Sequence, residues 1–241
     1  MTTPGMSARG TSSQGSSSPE QLPLDLGHRT ALGQEDFLVA PCNEKAVAWL
    51  DRWPEWSAPG LVIHGPPGCG KTHLAHVWLS RSQAVLLSPE SLLNDDPPDL
   101  LGEKTSAIIE DADRAVGSAV RERTLLHLHN MLQERQGCLL LTAVTPVAGW
   151  PTGLPDLRSR LAALPAVDVG TPDDALIGAV LVKMFSDRQL QVGQDVITYL
   201  LTRMERSFLS ARRIVAALDS QALAAKRRIT VPFVAEVLAG L

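Results

Sequence analysis

The sequence lacks any apolar run long enough to cross a bilayer, since none of its 241 residues sits in a stretch approaching the roughly 20 apolar residues a spanning helix needs. Its N-terminus is rich in Ser, Gly and Thr and has no continuous apolar segment of the secretory kind. The expectation is a protein with no membrane partner, neither secreted nor embedded, that works in the cytoplasm. Cysteine is scarce as well: Cys42, Cys69 and Cys138 are odd in number and far apart, with no C-x-x-C spacing and no His at ligand spacing. That argues against a disulfide framework and fits a reducing compartment. Positive charge is not in excess either. With 22 Lys and Arg against 26 Asp and Glu, the net charge is -4, so the surface as a whole cannot hold a phosphate backbone by counterion release. Direct DNA binding is not expected, and no internal repeat is found.

What is present divides along the chain. Residues 1–20 contain almost no large apolar side chain and cannot offset their ordering entropy by burial, so a disordered tail is expected. Gln21-Leu22-Pro23-Leu24-Asp25-Leu26 then alternates apolar and polar residues, a hexamer that needs a partner. From Phe37 the chain becomes dense. Short apolar strands are expected at 61–64, 84–87, 107–109 and 139–141, with helices at 72–80 and 118–136, the second carrying a stripe of Val120, Leu125, Leu126, Met131 and Leu132. Strands separated by helices, without hairpin signals, predict an α/β fold with a parallel sheet covered on both faces, over 27–169. Beyond Val169 the spacing is helical only, at 176–185, 196–204, 208–225 and 231–241, apart from a short strand candidate at Ala166-Val167 just before it. A small helical lid domain over 170–241 is therefore expected, with Gly170-Thr171-Pro172 as the hinge.

The strongest signal is Gly65-Pro66-Pro67-Gly68-Cys69-Gly70-Lys71-Thr72, which matches G-x-x-x-x-G-K-S/T without a gap between a strand and a helix. Glycines let successive backbone N–H groups turn inward and the helix N-terminus adds partial positive charge. Lys71 would reach the β- and γ-phosphates, and Thr72 would ligate Mg²⁺. Cys69 holds a variable position of the loop and reads as a bystander. His64, His73 and His76 lack acidic or Cys neighbours at ligand spacing and read as packing or surface residues, while His127 and His129 face different ways on one helix.

Two further features gain meaning beside the loop. Glu110 and Asp111 end the apolar strand Ala107-Ile108-Ile109, at the edge where an open parallel sheet binds ligands. One carboxylate would hold Mg²⁺, a role given with Thr72 to Asp111, and the other would polarise water. The arginine pairs Arg158/Arg160 and Arg212/Arg213 would each, alone, be a solvated helix face. Next to a phosphate loop they become charge stabilisers for a γ-phosphoryl group, one reaching a neighbour's site and one its own.

At this point the chain resembles the AAA+ family of P-loop proteins over about residues 37–241, with loop, acidic strand end, arginine finger and sensor 2 arginine in order. Within that family it resembles the branch of DnaA and its Hda relatives. GKTHLAH is similar to GKTHLLHA of DnaA, LPDLRSRL to LPDLASRL of Hda, and RRITVPFVAEVL to RKLTIPFVKEIL of Hda. The resemblance implies that Arg160 is the finger and Arg212 is sensor 2, and that Leu38, Val39 and His73 join the loop in contacting nucleotide. It also implies that Gln21, Leu22, Leu24 and Leu26 bind the β sliding clamp (the DNA polymerase III β subunit), in the way of a tethered docking peptide. An expected regulator would hold ADP or ATP, meet DNA only through the clamp, and stimulate ATP hydrolysis by DnaA, thereby limiting replication initiation.

Some residues depart from the family's pattern. The acidic pair reads Glu then Asp, where P-loop ATPases of this type put the Mg²⁺ aspartate first and the catalytic acid second. That order implies weak hydrolysis or none by this chain. The best register for sensor 1 falls on Val144, with Thr142 or Thr145 as substitutes. The sequence stops at Leu241 where DnaA continues into a helix-turn-helix, and the segment carrying Asp95-Asp96-Pro97-Pro98-Asp99 is short where DnaA has a DNA-handling insertion. Both differences favour a regulator over an initiator. Left open are homo-oligomerisation, and as an alternative an autonomous AAA+ ATPase of the clamp-loader or helicase-loader type.

Overall fold

In the computed structural model of the protein, residues 38–94 and 96–240 are described. The core element is a parallel five-stranded sheet built from β1 (Gly60–His64), β2 (Val85–Leu87), β3 (Ser106–Ile109), β4 (Cys138–Ala143) and β5 (Ala166–Asp168), in the order β2-β3-β4-β1-β5. The fold is α/β, as expected. β3 is buried throughout, and β1 and β4 at all but one position each. Continuous apolar runs of this kind mark strands covered on both faces.

Alternation within the strands separates two cores. On one face Val62, Ile109, Leu139 and Leu141 pack with Leu125, Leu128 and Leu132 of α5 (Ala119–Glu134) and with Leu157 and Leu161 of α6 (Pro155–Ala163). On the other, Leu61, Ile63, Ile108 and Leu140 meet Val47 and Leu50 of α1 (Glu44–Asp51) and Leu74 and Trp78 of α2 (Lys71–Ser82). The sequence reading did not assign α1, nor the short helices α3 (Ser91–Asn94) and α4 (Pro97–Leu101) between β2 and β3. The stripe expected on α5 is corrected in part: Val120 is 51% exposed, and Glu122 and His129 turn inward in its place.

A third core lies within α7 (Asp174–Asp187), α8 (Gln194–Leu201), α9 (Phe208–Ala225) and α10 (Val231–Leu238), centred on Leu181, Phe185, Leu200, Leu218 and Val234. Asp173 caps α7 by accepting the Leu176 N–H at 2.8 Å, and Ser207 caps α9 by accepting that of Ser210 at 3.1 Å. Where the sheet passes into these helices, Gly170 donates its N–H to the Cys42 carbonyl at 2.8 Å. Register brings the functional strand ends together. Ile109 sits opposite Leu141, and His64 lies opposite both Ala143 and Asp168, so the loops after β1, β3 and β4 leave from one edge of the sheet.

Candidate nucleotide-binding site

The loop 65–72 turns from β1 into α2 on left-handed glycines. Gly68 has φ 74° and Gly70 has φ 107°, conformations that L side chains resist. Gly65 donates its N–H to the Ala143 carbonyl at 3.2 Å, which ties the loop to β4. Helix α2 begins at Lys71 with no side-chain cap, so its first N–H groups have no intrahelical partner and form an anion-binding end. Lys71 is buried, with Nζ donating to the carbonyls of Gly65 at 2.7 Å and Pro66 at 3.0 Å. Pro66, Pro67, Thr72 and His73 are exposed. Cys69 is buried in the α1/α2 core, and that burial pushes its thiol pKa up. Val39 packs against the same core, while the Leu38 carbonyl accepts from Asn43 at 3.0 Å.

The helical lid rests directly on this loop. Phe208 donates its N–H to the Gly68 carbonyl at 2.8 Å. A Cβ built on Gly68 would lie 2.8 Å from Ser207 Cβ, and one on Gly70 would lie 3.1 Å from the Phe208 ring. Arg212 lies one turn beyond Phe208 on α9. Desolvation first, then the Arg212 charge and His76, lower the imidazole pKa of His73.

At the end of β3 the two carboxylates part. Glu110 donates its N–H to Leu87 and leaves Oε1 buried without a hydrogen-bond partner. Asp111 sits in the left-handed region at φ 49°, half exposed, with Oδ2 at 3.8 Å from Arg114. The Asp111 N–H donates to the buried Thr142 hydroxyl at 3.2 Å. Val144 is 42% exposed. The Val144 and Thr145 N–H groups both donate to Asp113 Oδ2, at 2.9 and 3.3 Å. Asp113 therefore holds the loop after β4, a role the sequence reading missed. Its signal was a third carboxylate just past the acidic pair. Among the described residues no group of three or more His, Cys, Asp or Glu side chains could hold a metal ion, and His64 pairs with Asp168 at 3.5 Å.

The two arginines of α6 diverge. Arg158 donates through both Nε, at 3.1 Å, and Nη2 to the Thr152 carbonyl. Arg160 pairs with Asp156 at 3.1 Å and reaches Gln133 Oε1 at 3.5 Å, with 32% of its side chain exposed. This i,i+4 pair lies at the surface, with 55% of the Asp156 side chain exposed. Gln21, Leu22, Leu24 and Leu26 lie outside the described residues, and among those described no helix is long and apolar enough to cross a membrane.

Comparison with known proteins agrees with this anatomy. Residues 174–238 match the family described as the Hda lid domain. An uncharacterised protein of Haemophilus influenzae is 25% identical over 231 residues, covering 91% of this chain and 98% of its own. Domain III of the replication initiation protein DnaA from Thermotoga maritima superposes with a TM-score of 0.76 at 16% identity, over 85% of this chain and 94% of that one. AMPPCP-bound DnaA from Aquifex aeolicus gives 0.63 at 15% identity, over 78% and 63%. The chain thus has the fold of DnaA domain III, and its last helical segment matches the Hda lid model.

Proposed function

We propose that this protein is a nucleotide-bound regulator of the DnaA pathway, which docks on the DNA-loaded β sliding clamp and offers Arg160 to ATP held by DnaA. The observation that carries the reading is the arrangement of its two arginine sites. Arg212 lies on α9, the helix whose Phe208 N–H bonds the Gly68 carbonyl of the chain's own loop, whereas Arg160 sits on α6, paired with Asp156 and reaching Gln133. In a P-loop partner an arginine supplied in trans is worth roughly 10³ to 10⁵ in rate, because it neutralises charge developing on the γ-phosphoryl oxygens. The Asp156 pair holds Arg160 along α6 until a phosphate competes for it.

For its own site, AMPPCP bound to the Aquifex DnaA supports a nucleoside di- or triphosphate on the loop, ADP or ATP, with Lys71 and the α2 N-terminus holding phosphate. The oxygens of Thr72 and of the acidic pair suit a hard cation such as Mg²⁺, which would neutralise the phosphates. The unpartnered Glu110 Oε1 makes Glu110 the better first ligand, with Asp111 turned toward Arg114. We divide the chain into a tail (1–20), a clamp motif (21–26), a nucleotide domain (27–169) and a lid (170–241), acting in the cytoplasm. Residues Gln21, Leu22, Leu24 and Leu26 are the proposed clamp contacts.

The test is hydrolysis of DnaA-bound ATP with this protein, the clamp and primed DNA, each omitted in turn. Stimulation that requires all three supports the proposal, and stimulation that survives omission of the clamp removes the docking step. The alternative of an autonomous ATPase draws on the same buried Glu110 oxygen. It predicts steady turnover by the purified chain alone.

A further inference from the structure

Helix α6, which carries Arg160, hangs from one buried carboxylate on α5. Glu122 is 2% exposed. Its Oε1 accepts the Gly117 N–H at 2.8 Å and the Gly153 N–H at 3.0 Å, and its Oε2 accepts Gly153 at 3.0 Å and Leu154 at 2.8 Å. Leu154 is the N-cap of α6 and has no side chain that could cap it. Burial alone would raise the Glu122 pKa, but the N–H groups of Gly153, Gly117 and Leu154 and the charge of Arg158 outweigh it and hold the carboxyl below the usual range. Arg158 holds the same segment through the Thr152 carbonyl. A Cβ on Gly153 would stand in ordinary contact with Glu122 Oε2, at 3.4 Å. From this anchor α6 runs along α5 until Arg160 reaches Gln133, on the same α5 helix as Glu122.

We propose that Glu122 is a positioning residue for Arg160: it fixes where α6 begins against α5, and so where the guanidinium stands, without touching nucleotide. The inference rests on the reading of Arg160 as the arginine given to the partner's ATP. Displacement of about 1 Å at a reacting centre can cost on the order of 10²-fold in rate, so a shift of the helix start matters at its far end. Glu122→Gln keeps the shape but presents an amide NH₂ to a nest of N–H donors, leaving at least one unpaired. Glu122→Asp keeps the charge one methylene short.

Three readouts on the full-length protein separate the possibilities: the maximal rate and half-saturating concentration for stimulated hydrolysis of DnaA-bound ATP on clamp-loaded DNA, retention of ADP, and amide hydrogen exchange at Gly153 and Leu154. Glu122→Gln is expected to lower the maximal rate at least about tenfold while half-saturation and ADP retention stay within about twofold. Exchange at Gly153 and Leu154 should rise while that of β1 is unchanged, and Glu122→Asp should recover part of the rate. An undiminished maximal rate in Glu122→Gln overturns the inference, as does a uniform rise in exchange with loss of ADP, which would mean a general stability role. If Glu122→Gln does not fold, Glu122→Asp carries the test, and an undiminished maximal rate with raised exchange at Gly153 overturns the inference. Arg160→Ala at full rate overturns instead the reading beneath it, so the two failures are distinguishable.

Discussion

The nucleotide loop and the two loops that follow β4 are held in different ways. Around the loop the partners are main chain: Gly65 N–H to Ala143, Phe208 N–H to the Gly68 carbonyl, and Lys71 to the Gly65 and Pro66 carbonyls. After β4, backbone N–H groups hang instead on carboxylates from the segment beyond β3. Asp113 takes those of Val144 and Thr145, and Glu122 takes those of Gly153 and Leu154, each 31 or 32 residues away. Main-chain anchoring makes the loop indifferent to most side chains other than its glycines and Lys71. Carboxylate anchoring makes the α6 edge adjustable, sensitive to one residue and to acid.

The largest expected effect falls on that edge. Arg160→Ala should lose most of the stimulation of DnaA, on the order of 10³-fold, while its melting temperature moves little, because an exposed i,i+4 pair with Asp156 contributes little to stability. A rate within a few-fold of wild type would remove Arg160 from the chemistry. Next is the loop: a ligand at 100 times its Kd adds about 2.7 kcal/mol, so saturating ADP should raise the wild-type melting temperature by roughly 5–10 °C. Lys71→Ala should abolish that rise, and an equal rise in the variant would contradict the loop assignment.

A smaller effect is expected from Gly68→Ala, which forces a side chain into φ 74° and against Ser207 Cβ at 2.8 Å. It should cost about 1–2 kcal/mol and loosen the lid from the loop, read as a lower melting temperature and faster exchange of the Phe208 amide. The mildest is a pH effect. Glu122 is held below the usual glutamate range, so its contribution is present above the unfolded value of about 4.3 and is lost as pH falls through the lower folded value. The advantage of wild type over Glu122→Gln, about 1 kcal/mol at neutral pH, should vanish in acid. A difference that is flat with pH would show that the charge is not what anchors α6.

The same contrast explains what was legible in the sequence. The sheet was readable because β1, β3 and β4 are apolar runs bounded by turn residues, and the loop because its glycines, Lys71 and Thr72 are contiguous and need only local geometry. Helix α9 was read to its observed bounds since its stripe is regular and Ser207 stands at its cap. The roles of Asp113 and Glu122 were not legible. A carboxylate that serves amides 31 residues on leaves no local pattern, and Glu122 sits in a helix where Val120 was expected to face inward. Sensor 1 was left among three residues for a related reason: Thr142 meets the Asp111 N–H only once β3 and β4 are side by side.

The central claim is that the two arginine sites serve different nucleotides, Arg212 the chain's own and Arg160 the partner's. ADP affinity of the purified Arg160→Ala and Arg212→Ala proteins, measured side by side, tests it most directly. Arg160→Ala should bind ADP within about twofold of wild type, and Arg212→Ala should bind at least about tenfold more weakly, as expected when a charge-assisted phosphate contact worth roughly 1.5–3 kcal/mol is lost. Equal weakening of both, or weakening by Arg160→Ala alone, would contradict the account.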